Sequence, residues 1–246
     1  PPYFYFSDGS VPCIFIGDTV SWKAELKMYG KAYFSILKPI DNNKAVIRAI
    51  ESKTKNNTLG LFNFNNNTAL KLNGGLLQKQ VDGVFDTDGS LLYNSQLDKI
   101  IYTYAYRNEF LIIDSKIGSH TSGHTIDTTS RAQVLVASIK SKNIKTLARQ
   151  PKLVNKLTAT FGNYLFVNAA LIGKYEPEIM WKQASIIDVY NVKENTYAFS
   201  FYVYNIEGRT MDEFVVLNDR IVSLNGRHLT IEKLKTNYYI PFYPSR

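Results

Sequence analysis

Four short segments of this chain repeat one pattern: Leu59–Phe64 (LGLFNF), Phe110–Asp114 (FLIID), Ser185–Tyr190 (SIIDVY) and Leu229–Leu234 (LTIEKL). Each follows another apolar run after a polar break. The fullest copy is Lys99–Lys116, KIIYTYAYRNEFLIIDSK. Its first run, Lys99–Tyr106, alternates Ile and Tyr with smaller residues, as a strand does. Arg107-Asn108 reads as a tight turn, and Glu109–Asp114 as the return strand. Ala45–Ile50 (AVIRAI) and Arg220–Leu224 (RIVSL) are the partner runs of the first and last copies.

The copies begin 51, 75 and 44 residues apart. Two of these spacings are near the roughly 40–50 residues of a four-stranded propeller blade. The third requires a blade with an insertion, or a less well preserved extra copy. A four-stranded sheet with two apolar faces is not stable alone, and radial stacking buries both faces while leaving only short edges. The expected fold is therefore all-β: a β-propeller of four-stranded blades, about five or six of them, complete or truncated, in one domain over residues 1–246. SIIDVY would be the third strand of a blade, followed after a turn at KENT by YAFSFYVY (Tyr197–Tyr204). The alternative is a β-sandwich, which also places strands every roughly 8–12 residues.

Composition agrees with strands. The chain has 17 Tyr and 14 Phe, and these residues favour the pleated, half-buried surface of a sheet. Its net charge of +8 comes from scattered Lys, with no run of five or six basic residues. That argues against nucleic acid and fits a solvated surface, or one facing an acidic partner or an anionic membrane. Cys13 is the only cysteine, so intrachain disulfides and cysteine zinc sites are excluded. No apolar stretch reaches the roughly 18 residues of a membrane-spanning helix. The chain starts Pro-Pro rather than Met, as expected of a processed protein or a piece of a longer one.

Turn residues divide the remaining chain. Residues 3–22 read as short strands broken at Asp8-Gly9 and Gly17-Asp18. Lys31–Lys38 reads as a strand closed by Pro39. Gly74-Gly75, Asp82-Gly83 and Asp88-Gly89 mark turns. Gly118–Thr129 reads as a polar loop or edge strand, Ala132–Ile139 as a strand, and Lys140–Lys156 as loop and edge strand.

Few residues have the spacing of a chemical site. His120 and His124 with Asp127 have metal-ligand residue types, but on a strand the two imidazoles stand about 13 Å apart. Asp86, Asp88 and Ser90 resemble the start of a calcium loop, yet position 12 is Leu97 rather than an acid; a hairpin turn is the expected reading. No GxSxG elbow or phosphate-binding glycine motif is present. No catalytic residue, metal or cofactor is therefore expected. Tyr102, Tyr104 and Tyr106 share a strand face and are expected to pack between sheets. The insertion Gly173–Gln183 puts Tyr175, Ile179, Met180 and Trp181 on a loop. Such residues are enriched at protein interfaces; equally, the loop could fold back to plug its own blade.

Three segments carry a resemblance: LLYNSQLDKIIYTYAYRNEFLIID, GHTIDTT and LFVNAALIGKYEPEIMWKQASIIDVY. They are similar to a family of uncharacterised, exported β-propeller-like proteins of Bacteroidota, with WD40-like or TolB-like shape. The resemblance spans about residues 85–235 and is best around Met180-Trp181-Lys182-Gln183. It implies a propeller in a periplasmic or cell-surface setting, anchored through a lipoprotein or secretory leader. It carries no catalytic residues. Members of that family are longer, which implies one or more preceding blades. The function expected is a non-enzymatic protein–protein interaction module, in an envelope, outer-membrane or secretion complex. The alternative is a carbohydrate-binding, hydrolase or lyase propeller with its site at the central channel.

Overall fold

The computed structural model describes residues 2–65, 69–139 and 144–235. The chain is all-β and forms a five-blade propeller. Blade 1 contains β1 (Tyr3–Asp8), β2 (Cys13–Asp18) and β3 (Ala24–Tyr29). Blade 2 contains β4 (Phe34–Asp41), β5 (Lys44–Ile50), β6 (Asn57–Asn63) and β7 (Ala69–Asn73). Blade 3 contains β8 (Gly89–Asn94), β9 (Lys99–Tyr104), β10 (Glu109–Asp114) and β11 (His120–His124). A hairpin of β12 (Val136–Ile139) and β13 (Ile144–Leu147) stands between blades 3 and 4. Blade 4 contains β14 (Asn155–Phe161), β15 (Tyr164–Ala169), β16 (Ala184–Asn191) and β17 (Thr196–Tyr204), with a short helix, α1 (Glu178–Gln183), before β16. Blade 5 contains β18 (Glu213–Leu217), β19 (Arg220–Asn225) and β20 (His228–Lys233). Every pairing is antiparallel between consecutive strands.

The four repeated segments all fall on third strands: β6, β10, β16 and β20. Their partner runs are the second strands β5, β9 and β19. The hairpin β12–β13 accounts for part of the 75-residue spacing. Blades 1 and 5 have three strands rather than four among the described residues.

The core lies between blades rather than inside one sheet. Successive side chains of a strand point to opposite faces, so a central strand feeds two interfaces. In β10, Leu111 and Ile113 pack toward blade 2, and Phe110 and Ile112 toward blade 4. In blade 4, Leu165, Val167 and Tyr190 face blade 3, and Phe166, Ile187 and Val189 face blade 5. Ile14, Ile16 and Met28 of blade 1 pack on Ile47, Ala49 and Phe62 of blade 2. The far faces of the end blades remain apolar and exposed, with Phe6, Leu26 and Tyr29 in blade 1 and Val215, Leu229 and Ile231 in blade 5.

Three boundaries differ from the sequence expectation. β4 runs through Pro39 to Asp41. As an innermost strand its channel side has no partner, so a missing N–H is tolerated. β9 ends at Tyr104, and Arg107 is not a surface turn residue. Its guanidinium is buried over the Tyr104 ring, 3.4 Å from the centroid, with Nε bonded to Glu109 at 2.7 Å and Nη2 donating to the Gln78 carbonyl at 3.0 Å. Ala132–Ile139 is a strand only from Val136, and residues 140–143 of the basic segment lie outside the described residues.

Leucines on the third strands of blades 3 and 5 carry opposite weight. Leu111→Ala, at a fully buried site, is expected to cost about 3 kcal/mol. Leu229→Ala, at a site 67% exposed, should stay within about 0.5 kcal/mol. Urea unfolding of both variants checks this, and equal losses would contradict the inter-blade core.

Candidate functional site

The Gly173–Gln183 insertion joins the second and third strands of blade 4. It is not wholly irregular. Pro177 ends an extended approach, and Glu178–Gln183 forms a single helical turn closed by a Glu178–Lys182 ion pair of 2.8 Å. Pro before the turn and an acid-to-base pair four residues apart both favour helix at this place. Tyr202 on β17 donates a hydrogen bond to Glu176, and Asn205 bonds through its Nδ2 to the Lys182 carbonyl at 3.0 Å and through its N–H to the Gln183 carbonyl at 2.8 Å. The insertion is thereby tied to the edge of its own blade. Of the four expected contact residues, Tyr175 is 88% exposed and Ile179 is 57% exposed, while Met180 and Trp181 are half-buried. The structure brings all four to one loop-helix unit.

Beneath the insertion is a cavity of about 680 Å³. Residues 171–176 form one side, 125–128 another, and Asn155, Ile186, Asp188, Tyr197 and Ser200 of blade 4 complete it. It therefore lies in the seam between blades 3 and 4, where the linking segment and the insertion meet. Asp188 is buried there and accepts a hydrogen bond from Ser200, whose hydroxyl is 2.9 Å from that of Tyr197. Burial pushes the Asp188 carboxyl up to about 6; the Ser200 bond opposes the shift and the nearby Glu176 charge adds to it. Asp127 accepts the Thr129 N–H at 2.6 Å. Sequence reasoning missed Asp188, which reads as part of a core strand. The available signal was an acid placed inside the apolar run SIIDVY.

The central channel is a second cavity, of about 700 Å³, between the first strands β4, β8, β14 and β18. Its charged lining residues are Lys38, Lys156 and Glu213; no His, Asp or Arg is among them. Ser90 and Thr158 share a hydroxyl contact of 2.6 Å, and Lys156 donates to the Met211 carbonyl at 3.3 Å. Hydroxyls, amide groups and aliphatic side chains make up most of the wall.

The other sequence candidates have structural surroundings. His120 and His124 are exposed on the outer strand β11, with the His124 Nδ1 3.2 Å from the Asn108 carbonyl. Among the described residues no group of three or more His, Cys, Asp and Glu side chains could hold a metal ion. Asp86 accepts the backbone N–H groups of Gln80, Val81, Asp82 and Gly83, so its oxygens organise the loop that precedes blade 3. Asp88 pairs with Arg48, which also reaches the Tyr102 hydroxyl at 3.1 Å. Tyr102 and Tyr104 are buried in an edge-on pair 5.3 Å apart, packed between blades 2 and 3; Tyr106 is half-buried. No helix among the described residues is long and apolar enough to cross a membrane.

No protein-family model matches the chain, and no curated protein sequence does. Solved structures share its shape at low identity. The crystal structure of Kluyvelomyces marxianus Hsv2 aligns over all of this chain and 63% of its own, with a TM-score of 0.48 and 11% identity. A crystal structure of a nidogen/laminin complex aligns over 82% of this chain and 60% of its own, with a TM-score of 0.46 and 6% identity. A crystal structure of a eukaryotic initiation factor aligns over 98% of this chain and 50% of its own, with a TM-score of 0.42 and 9% identity. The chain thus spans roughly half to two thirds of the length of each.

Asp188 gives a pH test of the cavity. An acid whose pKa is higher folded than unfolded binds its proton more tightly when folded. Its stabilising contribution is present below its ordinary value of 3.8 and is lost as pH rises through about 6. Asp188→Asn should therefore raise stability at pH 7.5 by up to about 3 kcal/mol, and change it little at pH 3.5. Urea unfolding at both pH values measures the gap; a gap that does not shrink in acid would show that the carboxylate is not desolvated.

Proposed function

We propose that this chain is a non-enzymatic protein–protein interaction module, one propeller domain over residues 1–246, that docks its partner through Tyr175, Ile179, Met180 and Trp181. The observation that carries this reading is the anchored insertion. Asn205 holds its backbone at the Lys182 and Gln183 carbonyls and Tyr202 holds the Glu176 side chain, while Tyr175 and Ile179 are exposed to solvent. A held loop loses less conformational entropy on binding than a free one, so its exposed apolar groups contribute more to affinity. Aromatic and Met side chains on such a support are what protein interfaces favour. Propellers serve this role commonly, although fold alone does not assign it.

The setting we propose is outside the cytoplasm, periplasmic or at the cell surface, in an envelope or secretion complex. The resemblance of LFVNAALIGKYEPEIMWKQASIIDVY and its companions to exported propeller-like proteins of Bacteroidota supports this. The rival reading is a carbohydrate-binding, hydrolase or lyase site in the central channel. Two Lys and one Glu among hydroxyl and apolar groups make that channel a poor match for acid–base or nucleophilic chemistry.

A pull-down from native membranes with wild-type protein and a Met180→Ala/Trp181→Ala variant tests the docking surface. The variant should lose its specific partners while keeping a wild-type circular dichroism spectrum. Recovery of the same partners by both proteins would remove the insertion as the interface.

A further inference from the structure

Blade 1 differs from the other blades at its inner edge. In blades 2 to 5 the first strands β4, β8, β14 and β18 line the central channel and touch one another in turn. No residue of β1 is in that lining. The direction of β1 explains this. Its end meets the start of β4, where the Gly9 carbonyl accepts the Phe34 N–H at 3.3 Å. Its beginning meets the far end of β4: the Tyr5 hydroxyl donates to the Asp41 carbonyl and lies 3.4 Å from that of Lys44. β1 therefore runs antiparallel to β4 and parallel to β5, as the second strand of one blade runs beside the second strand of the next. β3 joins β4 directly through residues 30–33, so it holds the outermost place of its sheet. β1, β2 and β3 thus take the second, third and fourth places of blade 1, and no strand among the described residues takes the innermost one.

The edge of β1 that faces this place is free to pair. The Thr19 N–H bonds to the Pro2 carbonyl at 2.7 Å, which fixes the phase of the β1–β2 ladder. Hydrogen-bonded pairs alternate in an antiparallel ladder, so Phe4, Phe6 and Asp8 direct their backbone groups to β2. The N–H and C=O groups of Tyr3, Tyr5 and Ser7 point the other way and have no backbone partner among the described residues. Sheet edges are ordinarily protected by charge, proline or a bulge. Tyr3–Ser7 has no charged side chain and no proline, and it pairs with β2 without a register shift. The opposite edge of the same sheet, β3, carries Glu25 and Lys27, and the β2–β3 pairing shifts register between Ile14 and Phe15. Beside the free edge, Leu37 of β4 is turned toward blade 1 and is half-buried.

We propose that the free edge of β1 receives an extended strand from a partner polypeptide, laid antiparallel to β1 in the innermost place of blade 1. The row β18, β14, β8, β4 is an existing interface, and the place beside β1 continues it beyond β4. That continuity sets the chemistry of the partner. It is a stretch of five to eight residues, the lengths of β18 and β4, with apolar side chains at alternate positions to cover Leu37 and Tyr5. Backbone hydrogen bonds to Tyr3, Tyr5 and Ser7 supply affinity, and the side chains that meet β4 supply selectivity. Every described strand is already paired along at least one edge, so a second copy of this chain would carry a whole sheet into the channel. A lone strand fits without that obstruction. The surface lies in blade 1 and is independent of the insertion in blade 4.

Fluorescence anisotropy with a labelled heptapeptide copying β14, NKLTATF, tests this on the intact chain. The peptide should bind saturably, and hydrogen exchange followed by mass spectrometry should slow within residues 3–7. Two further peptides carry N-methyl groups, one on its Leu, Ala and Phe amides and the other on its Lys and Thr amides. One of them should bind about tenfold more weakly, because its methyl groups face β1. Ser7→Pro removes an outward N–H without breaking a β1–β2 bond, and should weaken binding about tenfold while the circular dichroism spectrum is unchanged. Should that variant fail to fold, the methylated pair decides on wild type alone. Absence of binding, equal binding by all three peptides, undiminished binding to a folded Ser7→Pro, or exchange protection at another edge such as β20 would overturn the proposal. So would a dimer in sedimentation equilibrium that Ser7→Pro dissociates, since a second copy would then hold the edge.

Discussion

A strand that is apolar on both faces must be covered on both faces, and this one requirement organises the whole chain. β10 and β16 are buried along most of their length, and their alternate side chains enter two different interfaces. No single blade can satisfy that demand within its own sheet. Stacking against neighbours removes both faces from water, which is why the stabilising contacts accumulate between blades. The same requirement limits where the chain can vary. A change inside a third strand disturbs two interfaces, whereas extra residues at a strand connection disturb none. The pairing of β15 with β16 runs in regular register from Tyr164↔Asn191 to Asn168↔Ile187, although the Gly173–Gln183 insertion lies between them.

That logic explains which parts of the fold were legible in the sequence. Third strands of blades 2, 3 and 4 are read easily because they are buried on both faces. The third strands of the end blades, AELKMY and HLTIEK, are largely exposed and carry charged residues; the second still echoes the pattern and the first does not. Pro39 looked like a strand end because its lack of an N–H matters only where a partner strand is present. Arg107 looked like a turn residue because Arg-Asn between two strands usually is one. Its burial depends on Tyr104, Glu109 and the Gln78 carbonyl converging from three places in the chain, and pattern reading has no access to that convergence.

The insertion itself was legible as a departure from the repeat, and so were its exposed residues Tyr175 and Ile179. The cavity beneath it was not. Asp188 occupies a strand position that period and composition assign to the core, and it is indeed buried. What distinguishes it from a core residue is the missing filling around it. Its wall comes from residues 125–128 and 171–176, which approach one another only once the blades have stacked.

These two segments are also the places where the chain departs most from its own repeat. The link from blade 3 to blade 4 and the insertion both lie within the long 75-residue spacing, and the insertion is the longest connection within blade 4. Both converge on the seam between the same two blades, beside a buried carboxylate without a cation. A repeat architecture keeps its blades similar because each must pack on the next. Residues freed from that duty accumulate where extra chain has been added, and a polar cavity in a seam is costly to keep unless something occupies it. The physical case for the docking reading at this seam rests on that concentration of added chain.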